Sequence, residues 1–529
     1  MEPAMHDSTL LDRHQTFERL TLAVLGLLLI LRIAAVISTP LELYADEAQY
    51  WRWGQSLEWG YYSKPPMIAW VIHLTTSIFG TQEWTVRLAA PFLHTAAAAL
   101  IFLTGRAMLD ARAGFFAALL YALMPSVVLS SSVLSTDGVL MPFWCAALFL
   151  LWRLRSGEGL WVSAALLGGA IGAGMLSKYA MIYFLIGIAL ASLMDAPTRR
   201  VVLSPRGALA GGIAALIMAP HFAWNAANDF ATVSHTVDNA NLGGELFNPE
   251  NALSWFGDQL GMFGPVSFLA LLTGLFLYRT RRGEAAGPER WLLCFILPVL
   301  IFILCQAVLS RAHANWTATA YPGAALLVAL WFSRGKAVTL WASLGVNLLV
   351  AALFMAMTLL PPAATTDLGL DNAAKRTRGW EASAQEVFDA AERLGATAVL
   401  VDEREVWHGL DFYARDRSLP LISWRRYPGP KSFSERVPLE GAIADRVLIA
   451  SLHSGLRPHL RSDFARFEPA GQVRIDLGTR GNGCPITRVF QLYIGEGYNP
   501  PERTQEWENQ FIGEMEFPEP PCPTAAYDG

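Results

Sequence analysis

Charged residues are scarce in this sequence: they make up 16% of its 529 residues, against about 25% in ordinary soluble domains. The shortage is concentrated before Pro361, where apolar runs of membrane-spanning length follow one another from Thr21 to about Leu360. This pattern excludes a soluble enzyme. The sequence predicts a membrane domain over residues 1–361 and a soluble domain over residues 362–529.

Three further features are absent or sparse. The net charge is −5 and no basic block occurs, so nucleic acid is not an expected partner. No small-residue cleavage site follows the first apolar run, and more spans come after it, so this run is not a signal peptide. Cysteines number five. Of these, Cys484 and Cys522 lie in the later domain, where an oxidising compartment would allow them to pair, and their pairing is left open.

About eleven apolar runs predict membrane-spanning helices. They lie near residues 20–38, 85–105, 113–130, 138–152, 160–176, 179–194, 207–224, 261–278, 291–309, 316–333 and 337–359. With the N-terminus in the cytoplasm, most Lys and Arg residues of the loops fall on the cytoplasmic side. The C-terminal domain then lies outside the cytoplasm. Its strand-like runs 398–401 and 446–450, with a helical pattern before the first, predict a small α/β fold.

The predicted outer loop between the first two long spans carries acidic and basic motifs. It contains Asp46-Glu47 and, further on, Ser63-Lys64-Pro65-Pro66. Three more motifs lie next to later spans: Ser135-Thr136-Asp137-Gly138, Leu176-Ser177-Lys178-Tyr179, and Arg311 to Trp316 followed by Tyr321-Pro322. Together they resemble the dolichyl-phosphate-mannose protein mannosyltransferase superfamily, which has the GT-C fold. Within it, the chain is similar to the bacterial branch that includes the lipid A aminoarabinose transferase.

The resemblance implies an inverting glycosyltransferase of the bacterial inner membrane. Its donor would be a polyprenyl-phosphate sugar, and its acceptor most often lipid A or lipopolysaccharide at the periplasmic face. Asp46 would take the proton of the acceptor hydroxyl, with Glu47 beside it and Asp137 as a further site carboxylate. All three also suit the N-terminal turns of helices, where acidic and capping residues are favoured, and this structural role remains an alternative.

The leaving phosphate of such a donor needs fixed cations or hydrogen-bond donors in a site that excludes water. The candidates are Tyr62, Lys64, Lys178, Arg311 and His313. A cation at membrane depth costs about 2.5–3.5 kcal/mol, which favours a functional reason for each one. The alternative is that these side chains extend to the membrane surface or pair with loop carboxylates.

The chain departs from the resembled branch at two positions. Gln49 stands where that branch has an arginine three residues after its catalytic aspartate, and Ser63 stands where a glutamate commonly precedes Lys-Pro-Pro. Both departures leave the sugar open. They also leave a metal open, although no essential cofactor is expected, because His221, His235 and Asp238 show no diagnostic ligand spacing.

Other functions remain possible from the residues alone. A protein O-glycosyltransferase would share the fold and donor but use Ser or Thr of a protein as its acceptor. A lipid-linked sugar flippase would show repeated halves and charges near the bilayer midplane, whereas here the charges gather at one face and no repeat is found. A noncatalytic envelope scaffold would keep the motifs without needing Asp46.

Overall fold

A computed structural model describes residues 2–239, 246–278, 287–333, 337–452, 457–480 and 483–511. The chain divides into two compact units. The membrane unit consists of Met1–Ser38 and Leu57–Thr358, and the C-terminal unit consists of Thr39–Ser56 and Leu359–Gly529. The sequence predicted a single boundary after Pro361. The structure differs in that Thr39–Ser56, predicted as an outer loop of the membrane part, belongs with the C-terminal unit.

The first two thirds of the chain are helical. The helices are α1 (Glu2–Ser38), α2 (Ala45–Gly54), α3 (Met67–Phe79), α4 (Glu83–Arg87), α5 (Ala89–Met108), α6 (Ala111–Ala122), α7 (Pro125–Ser130), α8 (Thr136–Arg155), α9 (Trp161–Ser177), α10 (Ile182–Met194), α11 (Ala196–Val202), α12 (Pro205–Ala227), α13 (Ala231–Asn239), α14 (Pro249–Phe263), α15 (Pro265–Tyr278), α16 (Gly287–Leu309), α17 (Tyr321–Ser333) and α18 (Ala337–Leu359). Short 3₁₀ helices cover Tyr179–Met181 and Ala314–Ala320.

Six helices of the described residues are long and apolar enough to cross a membrane, and a seventh span results if α14 and α15 count as one. The six are Gln15–Ser38, Glu83–Met108, Thr136–Arg155, Pro205–Ala227, Gly287–Leu309 and Val338–Leu359. Four shorter apolar helices accompany them. Every predicted span coincides with one of the helices or with a pair of them, so the prediction of a polytopic helical membrane protein is confirmed.

Two predicted spans are broken by turns. The run 113–130 becomes α6 and α7, and the helix direction bends by 113° between α14 and α15. Gly264 lies at that bend with a φ of +93°, and a Cβ there would come within 1.9 Å of the Asn347 side-chain oxygen. Glycine therefore fits this bend for two reasons, its backbone conformation and its lack of a side chain.

The core of the membrane unit lies around α8. In its most apolar window 67% of the residues are buried, whereas in α12 the proportion is 17%. An apolar helix face that is not buried by protein is suited to lipid. Helix α8 is thus an inner helix of the bundle, and the residues at its ends are held by neighbours on several sides.

The C-terminal unit contains a mixed five-stranded sheet. Its strands are β1 (Ala398–Val401), β2 (Leu421–Ser423), β3 (Arg446–Ser451), β4 (Phe464–Thr479) and β5 (Pro485–Tyr498), in the order β2-β1-β3-β5-β4. Strand β1 pairs in parallel with β2 and β3, and β5 pairs antiparallel with β3 and β4. The further helices are α19 (Pro362–Asp367), α20 (Asp371–Ala374), α21 (Trp380–Arg393), α22 (Arg404–Tyr413), α23 (Arg457–Arg461) and α24 (Gln505–Gln510).

Apolar periodicity explains how this sheet is covered. Every residue of β1 is buried, as expected for a strand that lies between two others and has both faces covered. Trp380, Ala384, Val387 and Ala391 follow the helical spacing on α21 and lie in one core with α22 and one sheet face. The predicted small α/β fold is confirmed.

Cys484 is disulfide-bonded, but Cys522 lies outside the described residues, so their pairing stays a prediction.

Candidate functional site

The structure places the candidate residues in two groups, one in each compact unit. Asp137, Lys178, Arg311, His313, Lys64 and Tyr62 belong to the membrane unit, and Asp46 and Glu47 belong to the C-terminal unit. The first group comes from four separate segments of the chain. These segments meet because the start of α8 lies close to the residues that follow α9 and α16.

An ion pair joins Asp137 and Lys178 in the membrane unit. Lys178 follows directly after α9 in an extended conformation, and its Nζ lies 2.7 and 2.8 Å from the two carboxylate oxygens of Asp137. The side chains are 18% and 13% exposed, so water screens the pair only partly. Ser135 caps α8 by accepting a hydrogen bond from the backbone N–H of Gly138, which fixes Asp137 in the first turn. Since both its oxygens contact Lys178, Asp137 is placed to hold an ammonium group.

The loop after α16 completes this group. Asn315 donates a hydrogen bond of 2.8 Å from Nδ2 to Asp137 Oδ2. The pKa of His313 is lowered from its ordinary value, first by loss of solvent around the ring and then by the charges of three nearby cations. These cations are Arg311, Lys178 and Lys64. We call Lys64, Lys178, Arg311 and His313 the cationic cluster.

Helix α14 fixes the loop that carries Arg311 and His313. The side-chain oxygen of Gln259 accepts hydrogen bonds from the hydroxyls of Thr317, at 2.6 Å, and Tyr321, at 2.5 Å. The ring of Tyr321 also stacks on Phe263 with 4.8 Å between centroids. Gln259 is fully buried, so its loss would leave buried hydroxyls without these partners. No sequence signal pointed to Gln259 as a support of the cluster.

The segment before Lys64 is tied to the end of α12. His221 Nδ1 lies 2.6 Å from the carbonyl oxygen of Trp59, and His221 Nε2 lies 2.6 Å from the hydroxyl of Tyr179. Trp224 donates from its indole to the Glu58 carboxylate at 2.9 Å. His221, weighed from the sequence as a metal ligand, therefore has both ring nitrogens engaged in hydrogen bonds. Its contacts fix the backbone that leads to Lys64.

A buried polar chain that the sequence did not reveal supports the start of α8. His94 on α5 contacts the hydroxyl of Tyr121 at 3.0 Å through Nδ1 and that of Ser130 at 2.9 Å through Nε2. Ser130 in turn lies 3.4 Å from Ser135, the cap of α8. Satisfied buried networks of this kind hold their members in one arrangement. The network thus orders the turn from which Asp137 extends.

Helix α2 presents the two acidic residues of the C-terminal unit differently. The Asp46 side chain is 44% exposed, and its Oδ1 lies 3.8 Å from the guanidinium of Arg404. Glu47 is almost fully buried, and its carboxylate accepts a hydrogen bond of 3.1 Å from the backbone N–H of Tyr44. Glu47 thus fills the helix-terminal role that the sequence offered as an alternative, whereas Asp46 is accessible to a substrate.

Two remaining expectations are untested by this geometry. Tyr62 is half-buried in the segment before Pro65, and its contact with a phosphate stays a prediction. Within the described ranges, no group of three or more His, Cys, Asp or Glu side chains lies in an arrangement that could hold a metal ion. That the protein needs no essential cofactor remains a prediction from the sequence.

The chain is similar to known membrane glycosyltransferases. Residues 63–224 match the family model of dolichyl-phosphate-mannose-protein mannosyltransferases. The lipid A galacturonosyltransferase RgtD of Rhizobium johnstonii is 32% identical over 434 residues, which cover 80% of this chain and 90% of that protein. The match to the family model contains Lys64, Asp137 and Lys178.

Solved structures support the same fold. The crystal structure of ArnT from Cupriavidus metallidurans in the apo state matches with a TM-score of 0.61 and 15% identity, covering 90% of this chain and 98% of that one. The structure of the same protein bound to undecaprenyl phosphate matches with the same TM-score at 16% identity. With the sequence relative, these matches confirm the predicted resemblance. The chain belongs to the dolichyl-phosphate-mannose-protein mannosyltransferase superfamily and is a membrane glycosyltransferase of the GT-C fold.

Proposed function

We propose that this protein transfers a uronic acid sugar from a polyprenyl phosphate to lipid A at the periplasmic face of the bacterial inner membrane. The observation that carries the proposal is the cationic cluster, in which three cations lie near His313 and one of them, Lys178, is held by Asp137. The name of the Rhizobium relative supports a galacturonosyl group and a lipid A acceptor. The ArnT structure with undecaprenyl phosphate supports a polyprenyl-phosphate carrier.

The reaction is a single displacement at the anomeric carbon. The acceptor hydroxyl oxygen forms a bond to that carbon while the bond from carbon to phosphate oxygen breaks, which inverts the anomeric centre. Asp46 accepts the proton of the hydroxyl. The electron pair of the broken bond stays on the polyprenyl phosphate, whose added negative charge is stabilised by Lys64, Lys178 and Arg311.

Asp137 has a supporting role in this mechanism. Its carboxylate holds the ammonium of Lys178 in position through contacts of 2.7 and 2.8 Å. A preformed cation needs little rearrangement when charge develops on the leaving group, and this lowers the barrier more than a mobile side chain would. Asp137 is therefore proposed as a positioning residue, and Asp46 as the base.

A donor and acceptor panel tests the proposal. Membranes that contain the protein are incubated with labelled polyprenyl phosphates carrying galacturonic acid, mannose or aminoarabinose, each with lipid A or with a Ser- and Thr-containing peptide. We expect labelled lipid A from the galacturonosyl donor alone. Transfer from a neutral or amino sugar would overturn the sugar assignment, and labelled peptide would favour a protein O-glycosyltransferase. Absence of transfer from every donor would overturn the proposed carrier.

A further inference from the structure

Gln49 on α2 is a neutral residue at a position where the resemblance to the lipid A aminoarabinose transferase branch implies a positively charged arginine. It lies three residues after Asp46. Residues three apart on a helix lie on the same face, so Asp46 and Gln49 are neighbours. Gln49 is 4% exposed, so its amide is enclosed by protein.

Arg404 brings a guanidinium to this place from another part of the C-terminal unit. Its Nη1 donates a hydrogen bond of 2.7 Å to Gln49 Oε1, and its Nη2 lies 3.8 Å from Asp46 Oδ1. Arg404 is the first residue of α22 and lies 355 positions after Gln49 in the sequence. One guanidinium thus contacts both the residue that replaces the expected arginine and the proposed base.

The packing of α2 on α22 fixes this arrangement. Arg52 lies 3.7 Å from Asp411, and its guanidinium lies over the ring of Trp407 at 5.6 Å. The rings of Trp51 and Phe412 meet edge to face with 4.9 Å between centroids. Such contacts on successive helix turns determine the register of the two helices, so Arg404 is held at the level of Asp46.

We infer that Arg404 is the positioning residue of Asp46 and takes over the place of the arginine that is missing at position 49. The inference rests on the proposed role of Asp46 as base. At 3.8 Å the guanidinium attracts the carboxylate without occupying its lone pairs by a short hydrogen bond, so these remain available to an acceptor hydroxyl. The C-terminal unit then contributes a residue to catalysis in addition to any contact with the acceptor.

Moving the arginine from one helix to the other tests the inference. The variants are Arg404→Gln, Gln49→Arg and the two combined. Arg404→Gln should lower kcat on the order of 10²-fold with little change in the KM of the donor, because the base is present but misaligned. Gln49→Arg alone should also lower kcat, since two guanidinium groups then compete for one carboxylate. The combined variant should recover at least about tenfold over Arg404→Gln, because misalignment accounts for most of that loss.

Arg417→Gln serves as the matched control. Arg417 is a partly exposed arginine in the segment after α22 that pairs with Asp389 and Glu392, and its loss should leave transfer unchanged. An arginine at position 49 cannot replace a merely structural contact of Arg404 on α22, so recovery specifically supports positioning of Asp46. Thermal unfolding of all variants shows whether the protein still folds, and Arg404→Lys, which keeps the charge, should retain more activity than Arg404→Gln.

The outcomes separate this inference from the proposed function. If the wild type transfers sugar and Arg404→Gln does so equally well, Arg404 has no positioning role although the function holds. A combined variant no more active than Arg404→Gln, in folded protein, would likewise overturn the inference. Absence of transfer by the wild type would overturn the proposed function and this inference with it.

Discussion

Replacing Lys178 by glutamine should weaken binding of a polyprenyl-phosphate donor by about 10- to 100-fold. A hydrogen bond to a charged group contributes about 1.5–3 kcal/mol, and each 1.4 kcal/mol corresponds to about tenfold in affinity. The Lys178 side chain is 18% exposed and its ammonium is held by Asp137, so neither water nor side-chain entropy removes much of this contribution. Glutamine keeps a similar length but brings no charge to the phosphate.

The companion variant Asp137→Asn separates binding from positioning. It leaves the positive charge of Lys178 in place, so donor affinity should be maintained, whereas kcat should fall because the ammonium is no longer held. The variant also leaves a partly buried ammonium among other cations, which should lower the free energy of unfolding by about 1–3 kcal/mol. Removing both charges, in Asp137→Asn with Lys178→Gln, should restore part of that stability, since an unpaired buried charge costs more than no pair.

Donor binding is best measured by titration of purified protein in lipid nanodiscs, with thermal unfolding recorded on the same samples. Arg106→Gln is a matched control because Arg106 pairs with Glu18 at 2.8 Å, is half exposed and lies outside the cationic cluster. It should not change donor affinity. A Lys178→Gln variant that is folded and binds the donor as tightly as the wild type would refute the reasoning.

Three other perturbations address parts of the site. Because the pKa of His313 is lowered, its ring is neutral near pH 7 in the free protein. A bound phosphate favours the protonated ring, so donor affinity should rise as the pH falls from about 7 towards the ordinary histidine value of about 6.5 and below, and titrations of His313→Gln should lose this dependence. Gln259→Ala should lower unfolding stability by about 1–3 kcal/mol and reduce kcat, because Thr317 and Tyr321 lose their shared acceptor; equal melting temperatures would contradict this. Glu47→Gln keeps an acceptor at the helix terminus and should retain activity, whereas loss of transfer in that variant would show a catalytic role beyond the cap.

Much of the fold was predictable because lipid imposes a strong pattern on sequence. Spans of apolar residues had to form helices, since no other local structure satisfies the backbone in a bilayer. Their breaks were less visible. The bend at Gly264 depends on close approach of Asn347, a contact between helices distant in sequence. The assignment of Thr39–Ser56 to the C-terminal unit was missed for a similar reason, because α2 is fixed by contacts with α22.

The sequence predicted which residues belong to the candidate site better than it predicted which residues they contact. Lys178 and Asp137 each stood out as charges beside apolar spans, yet nothing in the sequence indicated that they pair with each other. The family motifs identified Asp46 as a candidate base. Gln259 and Arg404 belong to no motif, and their contacts are with residues far away in the sequence. For Arg404 a weak signal existed, namely the absence of the expected arginine at position 49.

The central claim is that this glycosyltransferase uses Asp46 as the base in transfer from a polyprenyl-phosphate sugar. The most direct measurement is transfer of label from polyprenyl-phosphate galacturonic acid to lipid A by membranes that contain equal amounts of the wild type or Asp46→Asn. The account predicts labelled lipid A with the wild type and its loss with the folded variant, which lacks a carboxylate to take the proton. Undiminished transfer by Asp46→Asn would contradict it.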